Sequence, residues 1–291
     1  MKLTTFAAAD GRTVVGIHRG DTIDVVGVDN MRELIKLTRG NPAEIERRVT
    51  GSVPAAGGRL LAPIKPTKLI HTAGNFKEHE DESKRVGWSH NVGPWIVFMQ
   101  NVDAIVGPED GIRYPDHLTK ELDYELELSV VINQDVGEFA PEDAMNYVAG
   151  YVIFNDVTAR DIQRDEMKSG VFGFCKGIDS FCPIGPWIVT ADEIPNPHDL
   201  KMELRVNGEP RQESHSSRMW TTIPEILARY SPLGYSAGDI VTTGTVSGVA
   251  GFRVDAEDYY LRVGDSVECE VEKIGVLRNT VVPWNGTAEA S

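Results

Sequence analysis

The chain has 291 residues, with 29 Lys and Arg against 44 Asp and Glu, and a formal net charge of −15 at pH 7. That length suits one large domain, or a large domain preceded by a small one, and it buries roughly three quarters of the unfolded chain's surface without disulfides or other staples. The acidic balance argues against nucleic acid and anionic membrane as partners, whose phosphates would be repelled, but leaves room for a small anionic substrate in a locally positive pocket.

Cys175, Cys182 and Cys269 form no CxxC pair and no even framework, which reads as reduced thiols in a reducing compartment. The opening MKLTTFAAADGRTVVG has no continuous apolar core of a secretory leader. No run reaches the ~18–20 apolar residues of a bilayer span. The expectation is a soluble, cytoplasmic protein.

In chain order, Asp10-Gly11 between apolar stretches predicts a hairpin, and DTIDVVGV continues in strand character. Asp29-Asn30 offer a cap to MRELIKLTR, where Leu34, Ile35 and Leu37 form a short apolar face. GSVPAAGGRLLAPIKPTK, residues 51–68, is dense in Gly and Pro and reads as an extended linker. Beyond it lie short Val- and Ile-rich runs: KLIHTAG, PWIVFMQN, ELELSVVI, YVIFND, PIGPWIVT, LKMELRVNGE, DIVTTGT and SVECEVEKIGVLRNTVV. Helical segments are fewer: NFKEHEDESKRV, PEDAMNYVAG, ARDIQRDEMKS and TIPEILARYS. No βα alternation and no repeat is present. The pattern predicts a β-dominated α+β fold with sheets packed as a sandwich or roll. Residues 1–65 form a small N-terminal α+β domain with its linker, 66–284 the main domain, and 285–291 a polar tail.

The carboxylates of LDYELELSVVI are the strongest physical oddity. On a strand, Asp123, Glu125 and Glu127 share one face while Tyr124, Leu126 and Leu128 share the other. Two carboxylates about 4 Å apart repel by ~1–4 kcal/mol, depending on the local dielectric. A strand running on into SVVI therefore needs solvent, basic partners or a cation to compensate. A solvated edge face is the alternative. YVIFNDVTARD adds Asp156 at the end of an apolar run, and such a trio without His or Cys spacing describes a hard-oxygen site for Mg²⁺ or Mn²⁺.

In GNFKEHEDE, His79 and Glu82 lie three apart and share a helix face, an arrangement suited to a general base but also compatible with a solvated acidic helix. Arg160 and Gln163 follow Asp156 at helical spacing. Lys176, among apolar and glycine neighbours, either snorkels to solvent or faces an anion. Thr242, Thr243 and Thr245 precede a glycine-rich turn whose N–H groups and hydroxyls suit a carboxylate, although strand-end threonines are more often structural. His90 and His215 have no spaced partner and read as surface residues. Trp88, Trp95 and Trp220 read as packing.

Taken in order, GNFKEHEDE, DYELEL, GYVIFNDVTARDIQ, KGIDSFCPIGPWIVT, VNGEPRQ and GDIVTTGTVSGV resemble the fumarylacetoacetate hydrolase family over roughly residues 68–282, in its bacterial acylpyruvate hydrolase form. The resemblance implies a mixed β-sandwich roll, a homodimer, and one Mg²⁺ or Mn²⁺ per subunit. It places Glu125, Glu127 and Asp156 as metal ligands, and His79 and Glu82 as a water-activating pair on a lid helix. Lys176 becomes a further catalytic residue, and Arg160, Gln163 and Thr245 contacts to a small anionic oxo-acid substrate. The chain departs from the family pattern at Phe76 for tyrosine, Gln100 for lysine, Ser216 for threonine and Val246 for proline, changes that spare the metal ligands and bear on the substrate tail.

The implied reaction is metal-assisted hydrolysis of a C–C bond in an acylpyruvate such as fumarylpyruvate or maleylpyruvate, releasing pyruvate and a carboxylic acid. Oxaloacetate decarboxylation, isomerisation of a 2-oxo-heptenedioate and sugar-acid dehydration are alternatives on the same scaffold. A non-enzymatic acidic β-protein is the alternative of another class.

Overall fold

The structure, a computed structural model, describes residues 1–86, 96–171 and 173–285. Trp88, His90, Trp95 and the tail from 286 onward lie outside the described residues. The Asp10-Gly11 turn joins the antiparallel strands Lys2–Ala7 and Thr13–His18, as its sequence predicts. Asn30 then caps the helix Met31–Thr38 by accepting the Glu33 N–H. Met31, Leu34, Ile35 and Thr38 fill its buried face, while Leu37 is half exposed and outside it.

Residues 51–68 differ from the expected linker. They include most of the strand Val49–Pro54 and all of Arg59–Leu61. The first pairs with Thr22–Val26 and the second with Lys2–Ala7, because Val53 and Leu60 pack with Phe6, Val14 and Ile23 in a small apolar cluster. Gly and Pro density hid strands whose partners are distant in sequence.

A twelve-stranded sheet dominates the molecule. Its path runs Val49–Pro54, Thr22–Val26, Thr13–His18, Lys2–Ala7, Cys182–Thr190, Val148–Asn155, Leu126–Ile132, Ile240–Thr242, Leu69–Ala73 and Ile96–Met99. The leading segment thus continues the sheet of the remainder. A five-stranded sheet of Glu209–His215, Lys201–Val206, Ser266–Val271, Gly275–Pro283 and Gly111–Tyr114 packs against it. Parallel pairs, such as Ile240–Thr242 with Leu69–Ala73, sit among antiparallel ones. The fold is the mixed, β-dominated α+β class that the sequence predicts. Among the described residues, no helix is long and apolar enough to cross a membrane.

Strand alternation builds the core. Leu126, Leu128, Val130 and Ile132 point between the sheets, against Met202, Leu204, Val267 and Leu277. Val131 joins the other core, with Val152, Phe154 and Ile184. The helices Lys77–Arg85, Arg160–Met167 and Ile223–Tyr230 form where expected, but PEDAMNY is a 3₁₀ helix, Pro141–Tyr147, leading directly into Val148–Asn155. All three cysteines are buried and free.

LDYELELSVVI is not one strand. Leu122–Asp123 pairs with Thr158–Ala159 in a separate two-stranded sheet, and the long strand starts at Leu126. At the break, side chains replace the ladder: the Glu125 N–H donates to Asn155 Oδ1 at 2.9 Å and the Leu126 N–H to Gln212 Oε1 at 2.9 Å. Asp123 therefore does not share a continuous strand face with Glu125 and Glu127.

Leu128→Ala is expected to cost about 2–5 kcal/mol in denaturant unfolding, whereas Val254→Ala at a 95% exposed position stays within about 0.5 kcal/mol. Equal losses at the two positions would refute the assigned core.

Candidate functional site

The break in the strand delivers Glu125 and Glu127 to the floor of a cavity of about 80 Å³. Asp156 comes from the end of Val148–Asn155, with its N–H donating to the Glu125 carbonyl at 2.8 Å. All three are buried, at 5%, 2% and 1% exposure, so a solvated edge face is excluded. Of the residues expected in the site, His79, Glu125, Glu127, Asp156, Arg160, Gln163, Lys176 and Thr245 line this cavity. Glu82 stands behind His79. Phe98, Met167 and Phe252 provide apolar wall.

Two buried cations hold the acids together. Lys176 Nζ lies 2.9 Å from Glu125 Oε2, 2.6 Å from Asp156 Oδ2 and 2.7 Å from Thr158 Oγ1, so the lysine faces anions and does not snorkel. It rides on the short helix Phe174–Gly177, whose first N–H groups, on Gly173, Phe174 and Cys175, donate to the Glu166 carboxylate. Arg160 opens its helix and spreads its fork across Asp123 through Nε at 2.6 Å, Glu125 through Nη2 at 2.6 Å and Gln163 through Nη1 at 2.9 Å. Asp123 also accepts the N–H groups of Ala250 at 2.9 Å and Gly251 at 2.8 Å. It anchors Arg160.

The electrostatics follow from this packing. Burial alone would raise Glu125, but the Lys176 and Arg160 charges outweigh it and hold its pKa low, at about 2. Burial, and next the Asp156 charge, push Glu127 well above the usual carboxylate range. Burial likewise raises Asp156, to about 6, against the opposing pull of Lys176. Lys176 and Arg160 are both raised by their carboxylate partners against the effect of burial. Fully ionised, the four buried carboxylates would exceed the two buried cations by two negative charges, which a divalent cation would neutralise and which protons partly offset in its place. The oxygen-rich donor set fits such an ion.

One ligand-type atom each from His71, Glu127 and Asp156 lies within 4.8 Å of the others. Glu125 sits beside this group with its oxygens turned to Lys176 and Arg160. Sequence reasoning missed His71. It sits inside the apolar strand Leu69–Ala73, where nothing at a metal-ligand spacing marks it, and its partners arrive through sheet pairing. Burial, and next the Lys176 charge, push its pKa well below the ordinary value, so the ring is neutral.

His79 and Glu82 lie on the helix Lys77–Arg85, one turn apart as predicted. His79 Nδ1 is 3.0 Å from Glu82 Oε1; a carboxylate accepts, so Nδ1 donates and Nε2 is left with the lone pair. The Glu82 oxygens also accept the Gly248 N–H at 3.1 and 2.9 Å. Gly248 has φ +104°, and a Cβ there would stand 2.2 Å from the Arg211 carbonyl, so only glycine brings this N–H so close. The N–H groups of Gly244, Gly248, Ala250 and Gly251 together serve Glu127, Glu82 and Asp123. The turn that the sequence marks as a carboxylate cradle holds the protein's own carboxylates.

The threonine hydroxyls bond within the protein. Thr243 donates to the Leu128 carbonyl and Thr245 to that of Leu126, while Thr242 meets His71 Nδ1 at 3.1 Å. Phe76 is buried and bridges to Met219. Gln100 is buried and donates to Asp156 Oδ1 at 3.0 Å. His215 contacts Ser217 and Asp199, and Trp220 is half exposed.

Over residues 68–282 the chain matches the family described as fumarylacetoacetate (FAA) hydrolase, C-terminal. It is 37% identical over 254 residues to a mitochondrial oxaloacetate tautomerase of Rattus norvegicus, covering 84% of this chain and 78% of that protein. A fumarylacetoacetate hydrolase from psychrophilic Exiguobacterium antarcticum superposes with TM-score 0.83 at 34% identity, over 97% of this chain and 100% of the other. A maleylpyruvate hydrolase of Sphingobium sp. SYK-6, in complex with manganese(II) and pyruvate, superposes with TM-score 0.78 at 28% identity, over 97% and 99%.

Metal addition supplies a test of the charge excess. A divalent ion at about 100 times its Kd is expected to stabilise the fold by about 2.7 kcal/mol. Asp156 and Glu127 have raised pKa values, so the metal-free protein holds stabilising protons at low pH, losing that of Asp156 as pH rises through about 6 and that of Glu127 as pH rises further. The metal-induced rise in Tm therefore grows between pH 5 and pH 7.5. A rise that shrinks over this range, or none, would contradict the charge assignment.

Proposed function

The chain belongs to the fumarylacetoacetate hydrolase family, and we propose that within it the protein interconverts the enol and keto forms of oxaloacetate with the help of a divalent cation, Mg²⁺ or Mn²⁺, held by Glu125, Glu127 and Asp156. The observation carrying this reading is the His79–Glu82 pair, 3.0 Å apart, over the same cavity as the buried acid cluster. Support comes from the size of that cavity, about 80 Å³, which suits a four-carbon acid far better than the ~300–1,000 Å³ sites of drug-sized ligands. The similarity to an oxaloacetate tautomerase points the same way.

When bound, the cation supplies Lewis-acid stabilisation of negative charge developing on a 2-oxo acid. The chain's own residues do the remainder. Glu82 fixes the His79 tautomer so that Nε2 can take and return a proton. In ketonisation the enol hydroxyl gives up its proton as its oxygen becomes the carbonyl, and the former double-bond pair forms a new C–H bond at C3 with a proton returned to it, so the proton count balances. Lys176 and Arg160 offset the acids around the substrate, and Gln163 and Thr245 line the cavity that orients it.

A second reading is hydrolytic C–C cleavage of an acylpyruvate. Phe98, Met167 and Phe252 favour it, because they give the cavity an apolar wall on which an acyl tail can lie. There the same His79–Glu82 pair deprotonates an attacking water.

The two separate in one assay series on chelator-stripped protein with metal restored. The proposal predicts metal-dependent decay of oxaloacetate enol absorbance with no pyruvate or carbon dioxide released, and a loss of about 10²–10⁴-fold in kcat for His79→Ala. Pyruvate released from maleylpyruvate or fumarylpyruvate, without oxaloacetate tautomerisation, would replace it with the hydrolase reading. Carbon dioxide from oxaloacetate, retained in His79→Ala, would replace both with decarboxylation.

A further inference from the structure

We infer that His71 is a nitrogen ligand to the divalent cation through Nδ1, and that Gln100 selects the tautomer that makes it one, so that this site favours Mn²⁺ over Mg²⁺. The inference rests on the divalent-cation part of the proposed function and goes beyond its three carboxylates.

The imidazole is fixed before any ion arrives. His71 lies within the strand Leu69–Ala73, between Ile96–Met99 and Ile240–Thr242. Its ring stacks on Phe98 with centroids 4.7 Å apart and meets the edge of Phe154 at 5.1 Å. Nδ1 is 3.8 Å from Asp156 Oδ2, inside the group it forms with Glu127 and Asp156. No rotamer search is needed to bring it to an ion seated among those oxygens.

The tautomer follows from Gln100. Its carboxamide nitrogen is committed to Asp156 Oδ1 and to the Lys176 carbonyl, which leaves its oxygen as the acceptor. That Oε1 is buried without a hydrogen-bond partner, and so is His71 Nε2. The Gln100 backbone N–H donates to the Leu69 carbonyl, two residues before His71 on the paired strand, so the two side chains are diagonal neighbours on one face. A proton on Nε2 satisfies both atoms with a small adjustment and leaves the Nδ1 lone pair facing the acid cluster. Thr242 Oγ1 can then donate to Nδ1 in the ion-free protein and release it when the ion binds. A ligating histidine whose second nitrogen donates to a carbonyl is the usual way a protein sets ring orientation and basicity. Imidazole among carboxylates suits later divalent ions better than Mg²⁺, which prefers oxygen and retained water.

Mn²⁺ bound to the full-length protein gives the test by pulsed paramagnetic resonance. A directly bound imidazole nitrogen should appear as ¹⁴N modulation that changes to the ¹⁵N pattern when the wild type is grown with ¹⁵N-histidine, a comparison that needs no mutation. The signal should survive His79→Gln and vanish in His71→Ala. In direct binding titrations, His71→Ala and Gln100→Leu should each weaken Mn²⁺ by about 10–100-fold while changing Mg²⁺ little. Tight Mn²⁺ binding without nitrogen modulation would overturn the role of His71 and leave the carboxylate site standing. Equal losses for Mn²⁺ and Mg²⁺ in both variants would overturn the selectivity. Absence of binding by either ion would overturn this inference together with the metal-dependent reading, whatever the enzymatic assays show.

Discussion

The site depends on the shared ion pairing of Lys176 and Arg160 with Glu125, which puts two cations on one buried carboxylate. Stripping water from these groups is costly, and each charge persists because the others surround it; removing one partner of such a pair typically costs about 3–5 kcal/mol. The arrangement compensates Glu125 most strongly and leaves Glu127 and Asp156 only partly compensated, as their opposite pKa directions show. A protein that buries more carboxylates than cationic side chains at the floor of a cavity is prepared for a cationic visitor. The net −15 of the chain is no obstacle, because the field that matters is set within this cluster.

Backbone geometry supports these charges from several directions. The interruption between Leu122–Asp123 and Leu126–Ile132 splits the acids into an anchor, Asp123, and a pair that faces the cavity. The glycine-rich turn from 244 to 251 supplies N–H donors to three carboxylates, including Glu82 on the helix that carries His79. Glu166 performs the reciprocal task for Lys176 by collecting the N–H groups at the start of its short helix. Fold and site are coupled here: the same hydrogen bonds that end strands and begin helices also aim the charged groups.

Much of this was legible in the chain and some was not, for identifiable reasons. Period-two spacing in ELEL and the abrupt end of YVIFND reveal Glu125, Glu127 and Asp156, because both signals are local. Helical spacing does the same for His79 with Glu82 and for Arg160 with Gln163. Asp123 was placed on their face because alternation assumes an unbroken strand, and the break is held by Gln212 and Asn155, distant in sequence. The strands within 51–68 were hidden for a similar reason, since their pairing and the cluster around Phe6 are non-local. His71 carried no signal at all: a single histidine in KLIHTAG acquires meaning only when Thr242, Gln100 and Asp156 are folded around it.

The most direct test of the central claim is anomalous diffraction from crystals grown with Mn²⁺, recorded on both sides of the manganese absorption edge. The account predicts one strong peak per chain within bonding distance of Glu125, Glu127 and Asp156 oxygens, with Lys176 still beside Glu125. Crystals with no peak there, and Glu127 and Asp156 satisfied by protein groups or water alone, would contradict it.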